Sequence, residues 1–103
     1  MTDQNIPDRK TKKLEEIFKS VGSHRRLRII NVLFPDKELS VLDIADLIEL
    51  SFRSTSKHLI KLEKSGYLHS RQAGFHKLYR IDPDPSETVE KILQLIVHSG
   101  NKK

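Results

Sequence analysis

A chain of 103 residues, 36% hydrophobic and 6% aromatic with no tryptophan, is one small domain's worth, and its single core is modest. The absence of cysteine excludes disulfides, thiolate metal sites and thiol redox sensing, and no apolar run reaches the length of a signal segment or a membrane span. The expectation is a soluble, cytoplasmic protein, and its formal charge of +5 points to an anionic partner.

Residues 1–11 are polar, contain Pro7 and show no periodicity, which predicts a flexible tail. Leu14, Ile17, Phe18 and Val21 then fall at i, i+3, i+4 and i+7, one face of a first helix that Gly22 stops. Ser23 can cap a second helix, in which Leu27, Ile29, Ile30, Val32 and Leu33 leave little room for a polar side. Such a helix belongs at the centre, and Pro35 and Asp36 end it. Ser40-Val-Leu-Asp43 is a variant of the capping box and opens a third helix, with Val41, Ile44, Ala45 and Ile48 on its face and Leu47 widening it. Ser51 can cap a fourth helix only a few residues later, so the two form a helix-turn-helix candidate.

In the fourth helix Thr55, Leu59 and Leu62 share a packing side, while Arg53, Lys57, Lys61 and Lys64 lie together on a wet one. Gly66 suits a left-handed C-terminal cap. Tyr67–Gln72 and Phe75–Ile81 flank Ala73-Gly74 and predict a β-hairpin; a two-residue loop there pairs Leu68 with Tyr79 and Arg71 with His76. Asp82-Pro-Asp-Pro-Ser-Glu87 breaks the second strand and starts a last helix, with Asp84 as N-cap, Pro85 in the first position and Glu87 in the third. Val89, Ile92, Leu93 and Ile96 form its stripe. Leu95 and Val97 broaden it beyond what one small core needs, which predicts a second subunit against this helix. Residues 99–103 are expected to fray, leaving 12–98 as the one domain.

The charge is unevenly placed. From Ser51 to Arg80 seven cations (Arg53, Lys57, Lys61, Lys64, Arg71, Lys77 and Arg80) face the single acid Glu63, a net +6. From Asp36 to Leu50 five acids face Lys37, a net −4. The attraction for phosphate is thus concentrated on the fourth helix and the hairpin. Arg53 and Lys57 can donate to guanine O6 and N7, and Ser54 and Ser56 can reach a base edge or a phosphate. Phe52 suits either a thymine methyl or a staple into the core. Lys61 and Lys64, further along, suit phosphate or water, and in the hairpin His76 and Lys77 lie nearest the tip. His58, mid-helix, suits a structural hydrogen bond. No P-loop, HExxH, nucleophile elbow or glycine-rich dinucleotide loop is present, which speaks against an enzyme.

Three segments together, "HRRLRIINVL" at 24–33, "ELSVLDIADLIELSFRSTSKHLIKLEKSGYL" at 38–68 and "AGFHKLYRI" at 73–81, resemble the ArsR family of winged-helix transcriptional repressors over roughly Phe18 to Ile81. The resemblance implies a mainly α (α+β) winged helix-turn-helix: five helices, with a two-stranded β-hairpin wing between the fourth and fifth, dimerised through the first and last. It also implies recognition helices in adjacent major grooves, wings on the flanking backbone or minor groove, and a roughly palindromic operator in double-stranded DNA with half-site centres ~34 Å apart. Metal-sensing members are similar at the start of the third helix, but their cysteine pair falls at Ser40 and Leu42 here. The last helix offers only His98, with Asp82, Asp84 and Glu87 upstream, too few nitrogen donors for zinc. No metal or other cofactor is expected, and the residues name no effector. The rival expectation is a winged helix whose basic face docks an acidic protein.

Overall fold

The computed structural model describes residues 7–101. Five helices, α1 (Asp8–Val21), α2 (His24–Leu33), α3 (Val41–Ile48), α4 (Phe52–Lys64) and α5 (Glu87–Asn101), are joined by strands β1 (Leu39–Ser40), β2 (Leu68–Ala73) and β3 (His76–Ile81). The strands form one antiparallel sheet in the order β1-β3-β2. The hairpin wing between α4 and α5 is as expected. The third strand is an addition, two residues long and paired Leu39 to Tyr79 and Ser40 to Leu78.

Three helix starts follow from serine hydroxyls. Ser23 accepts from the amide of Arg26, Ser40 from that of Asp43 and Ser51 from that of Ser54. Each satisfies an amide that the first turn of a helix leaves unpaired, typically ~1 kcal/mol. α4 ends in a Schellman motif: Tyr67 N–H donates to Leu62 O and Gly66 N–H to Glu63 O, both at 3.0 Å, with Gly66 at φ 91°. A Cβ on Gly66 would meet only Val89 at 3.8 Å, so the backbone angle, not crowding, requires glycine there.

Four expectations need correction. Asp8–Thr11, assigned to the tail, form the first turn of α1; Pro7 O accepts from Lys10 and Thr11, and Asp8 sits in ion-pair reach of Lys12. Residues 1–6 of that tail lie outside the described residues. α5 continues through Ser99 to Asn101 rather than fraying at 99, and 102–103 lie outside the described residues. Its cap is Ser86, whose hydroxyl accepts from Val89 N–H, not Asp84, whose own amide is taken by the Asp82 carboxylate. The hairpin register also differs: Leu68 pairs with Ile81, Arg71 with Leu78 and Ala73 with His76, so the loop is Gly74-Phe75. Gly74 has φ 64°, and a two-residue hairpin loop favours glycine at its first position.

α2 lies at the centre, with Ile29, Ile30 and Leu33 fully buried against Ile44, Leu59, Leu62, Tyr79 and Leu93. Truncating such a residue to alanine costs about 2–5 kcal/mol, a large part of a small domain's stability. Leu47, expected to widen the core face of α3, is instead half exposed at 53%. Among the described residues no helix is long and apolar enough to cross a membrane.

Candidate nucleic-acid interface

The packing side of α4 consists of Thr55, Leu59 and Leu62, all fully buried. Because successive residues turn by about 100°, Arg53, Lys57, Ile60 and Lys64 fall together on the opposite, exposed side. Phe52 and Ser56 flank one edge of that side. Lys61 flanks the other, over a cleft of about 380 Å³ that it shares with Lys12, Glu15, Glu16 and Lys19 of α1 and Arg26 of α2. Lys61 therefore lines a cleft with acids at the edge of the face that Arg53 and Lys57 share. Ser54 and Ser56 are half-buried. Phe52 is 57% exposed, which puts it outside the core.

The wing tip stands next to the starts of α3 and α4. A cleft of about 340 Å³ there is lined by Val41, Leu42, Phe52, Gln72, Phe75, His76 and Lys77. Phe75 is fully solvent-exposed at the loop, His76 and Lys77 are exposed beside it, and the Lys77 ammonium lies 5.5 Å from the centre of the Tyr79 ring. Of the expected residues, Phe52, His76 and Lys77 thus meet at one cleft, Arg53 and Lys57 share the outer face of α4, and Lys61 lies to its side.

Arginines hold these elements in place. Arg28 of α2 donates to the carbonyls of Leu47 and Ile48 at 3.2 and 3.3 Å, closing the C-terminus of α3 where Glu49 turns the chain with φ 58°. Arg26 donates from Nε to His58 Nδ1 at 3.0 Å and from its guanidinium to Ser20 O at 3.2 Å, so α4 is tied to α1 and α2. Burial, then the charges of Arg26 and Arg25, hold the His58 imidazole below its ordinary pKa, which keeps Nδ1 able to accept. On the wing, Arg71 makes a bidentate pair with Glu38, both contacts 2.8 Å. That hydrogen bond lowers the Glu38 pKa and raises that of Arg71, and it withdraws Arg71 from the unpaired cations. Sequence reasoning missed Glu38, Arg28 and Ile60. The only signals were an acid ahead of a basic segment, an arginine on an apolar helix, and an isoleucine out of phase with the α4 packing stripe.

The chain matches the model of the bacterial regulatory protein arsR family over residues 23–70. It is 31% identical to the transcriptional repressor PagR of Bacillus anthracis over 81 residues, which cover 79% of this chain and 81% of PagR. The chain belongs to the arsR family.

Outside that segment the likeness also holds. The homodimeric winged helix-turn-helix DNA-binding domain of a possible ArsR-family regulator from Mycobacterium bovis superposes with a TM-score of 0.74 at 26% identity, over 98% of this chain and 91% of that one. The cadmium resistance regulatory protein CadC of Listeria innocua is 38% identical over 64 residues, 62% of this chain. The chain spans 54%, about half, of that regulator's length. In this arsR-family chain the positions that the resemblance gives to a cysteine pair hold Ser40, whose hydroxyl caps α3, and Leu42, half exposed beside the wing. Neither supplies a thiolate. Among the described residues no three of His, Asp or Glu come together as a metal site.

Proposed function

We propose that the chain is a homodimeric, sequence-specific DNA-binding regulator that represses transcription by occupying a roughly palindromic promoter operator. The observation that carries this reading is the exposed face of α4, where Arg53, Lys57 and Lys64 form no ion pair among the described residues, with the wing tip beside the helix start. A convex helix of unpaired cations fits the major groove, where Arg53 and Lys57 reach guanine edges and the half-buried Ser54 and Ser56 reach phosphate or base. His76 and Lys77 then meet the flanking backbone. Lys61, turned toward α1, makes at most a peripheral phosphate contact, and the reading places the protein in the cytoplasm with the chromosome.

Dimerisation through α1 and α5 is supported by the apolar groups these helices leave uncovered. Leu14 is 41%, Phe18 58% and Leu95 68% exposed, and a trough of about 410 Å³ runs between Leu27, Asn31, Leu95, Ile96 and Ser99. A second copy covering both surfaces removes them from water. The test is selection of bound duplexes from a random pool at moderate salt, with the mass of the complex measured on the enriched sequence. An inverted repeat bound by two chains is the expected result; no enrichment over random DNA would refute sequence-specific binding.

A further inference from the structure

Two large apolar side chains of α4 stay exposed, Ile60 on the face of the cations and Phe52 at its edge, where it lines the wing-tip cleft with Val41, Leu42 and Phe75. Ile60 is 44% exposed and falls between Arg53, Lys57 and Lys64; Phe52 is 57% exposed at the helix start. On a surface meant for phosphate alone, an isoleucine among three cations contributes nothing. The partner must therefore offer negative charge and isolated apolar points together. An apolar protein surface fails this requirement, because covering Ile60 would strip water from the neighbouring ammonium and guanidinium groups without pairing them. The major groove satisfies it: phosphates line its walls, and the one apolar group on a base edge is the thymine C5-methyl.

We infer that Phe52 and Ile60 read thymine methyl groups and so set which operators this protein accepts. The inference rests on the DNA-binding reading and deepens it by naming the base feature recognised. Eight residues separate the two side chains, about 12 Å along a helix at 1.5 Å per residue. At 3.4 Å per base step, the two thymines stand about three to four steps apart in each half-site. Arg53 and Lys57, on the face that Ile60 shares, then fix the bases or phosphates between them.

The experiment replaces single thymines of the selected operator by deoxyuridine, which removes only the methyl group. Burial of one CH₂-sized group, about 0.8 kcal/mol, corresponds to about fourfold in affinity, and to about 15-fold when both half-sites are changed. The expected result is such a loss at two thymines per half-site, three to four steps apart. Ile60→Ala abolishes the loss at one of them and Phe52→Ala at the other, while Ile60→Leu keeps it. Both side chains are exposed, and circular dichroism of each variant checks that the fold is intact. An enriched operator whose deoxyuridine forms bind as the thymine forms do overturns this inference and leaves the DNA reading standing. A loss that persists unchanged in Ile60→Ala and Phe52→Ala assigns the methyl contact elsewhere and also overturns it. Failure to enrich any duplex overturns the DNA reading itself, and this inference with it.

Discussion

Lys57→Ala separates the two things a cation on α4 can do. The side chain is exposed and forms no ion pair among the described residues, so its loss leaves no buried charge and changes stability by no more than about 0.5 kcal/mol. If Arg53 and Lys57 read bases while Lys64 and Lys77 meet phosphates, two subunits neutralise about four phosphates. The log-log salt slope is then about −3.6, a loss of about 150-fold in affinity between 50 and 200 mM salt. On that assignment Lys57→Ala keeps the slope and relaxes discrimination at one base pair of each half-site by about 1–3 kcal/mol. Fluorescence anisotropy titrations of the operator, its single-base variants and random duplex at several salt concentrations give both quantities. A uniform loss across sequences with a slope shallower by about 1.8, one phosphate per subunit, would refute base reading by Lys57. Salt-insensitive binding would refute the whole electrostatic account.

Glu38→Gln frees the Arg71 guanidinium for DNA, so the salt slope steepens by about 1.8 per dimer; no such change follows when Arg71 is already alanine, and an equal effect in both backgrounds would exclude the pairing as its cause. Thr55→Val raises stability by about 1 kcal/mol, roughly 4–8 °C in Tm, because the Thr55 hydroxyl is buried with no partner among the described residues; a lower Tm would show that the hydroxyl is paired. Glu49→Gly, at φ 58°, gains about 0.5–1 kcal/mol in urea unfolding as the left-handed strain is removed, and a loss would contradict that geometry. His58 titrates near 6.5 when unfolded and lower when folded, so between those values the unfolded chain binds more protons. Its contribution to stability is complete above pH 6.5 and falls away as pH drops through the folded value, and His58→Gln, whose amide oxygen still accepts from Arg26, flattens that part of a urea-midpoint-versus-pH curve.

Helices and caps were legible because each is a local event. Ser23, Ser40 and Ser51 bond an amide three residues away, and Gly66 answers a backbone angle at its own position. What stayed hidden depends on pairs distant in the chain or on competition between neighbours. β1 is two residues long, too short to leave a periodicity, and exists because β3 offers it an edge. The hairpin register turned on whether glycine stands first or second in the loop, a choice that Ala73-Gly74 leaves open and that shifts each partner by two residues. Asp84 lost the cap of α5 to Ser86 because the helix begins at Glu87, which puts Ser86, not Asp84, directly before its first turn. At the site, the cations of α4 were readable from spacing. The removal of Arg71 by Glu38, 33 residues away, was not. Ile60 was overlooked because an exposed isoleucine has no pattern of its own; it gains meaning only from the cations that surround it.

The same long-range bonds decide how firmly α4 is held. Ser20 of α1 hydrogen-bonds Ser65 at the C-cap of α4, and its carbonyl accepts from Arg26, which also holds His58 in mid-helix. Just beyond the cap, the Tyr67 hydroxyl donates to Ile17 O at 2.9 Å, and burial raises its pKa to about 12, so it remains a donor throughout the physiological range. α1 therefore grips α4 at its middle and its end, while Arg28 fixes the turn before its start. Swinging α4 away from α1 would strand buried groups on both helices at about 1–3 kcal/mol each. α1 is also one of the two helices whose uncovered apolar groups fit a second subunit. In the proposed dimer the spacing between the two recognition helices is set where α1 meets its partner, and Ser20, Arg26 and Tyr67 tie α4 to α1. On that proposal half-site spacing follows from the dimer seam, while the Arg28 bonds to Leu47 O and Ile48 O brace the turn between α3 and α4.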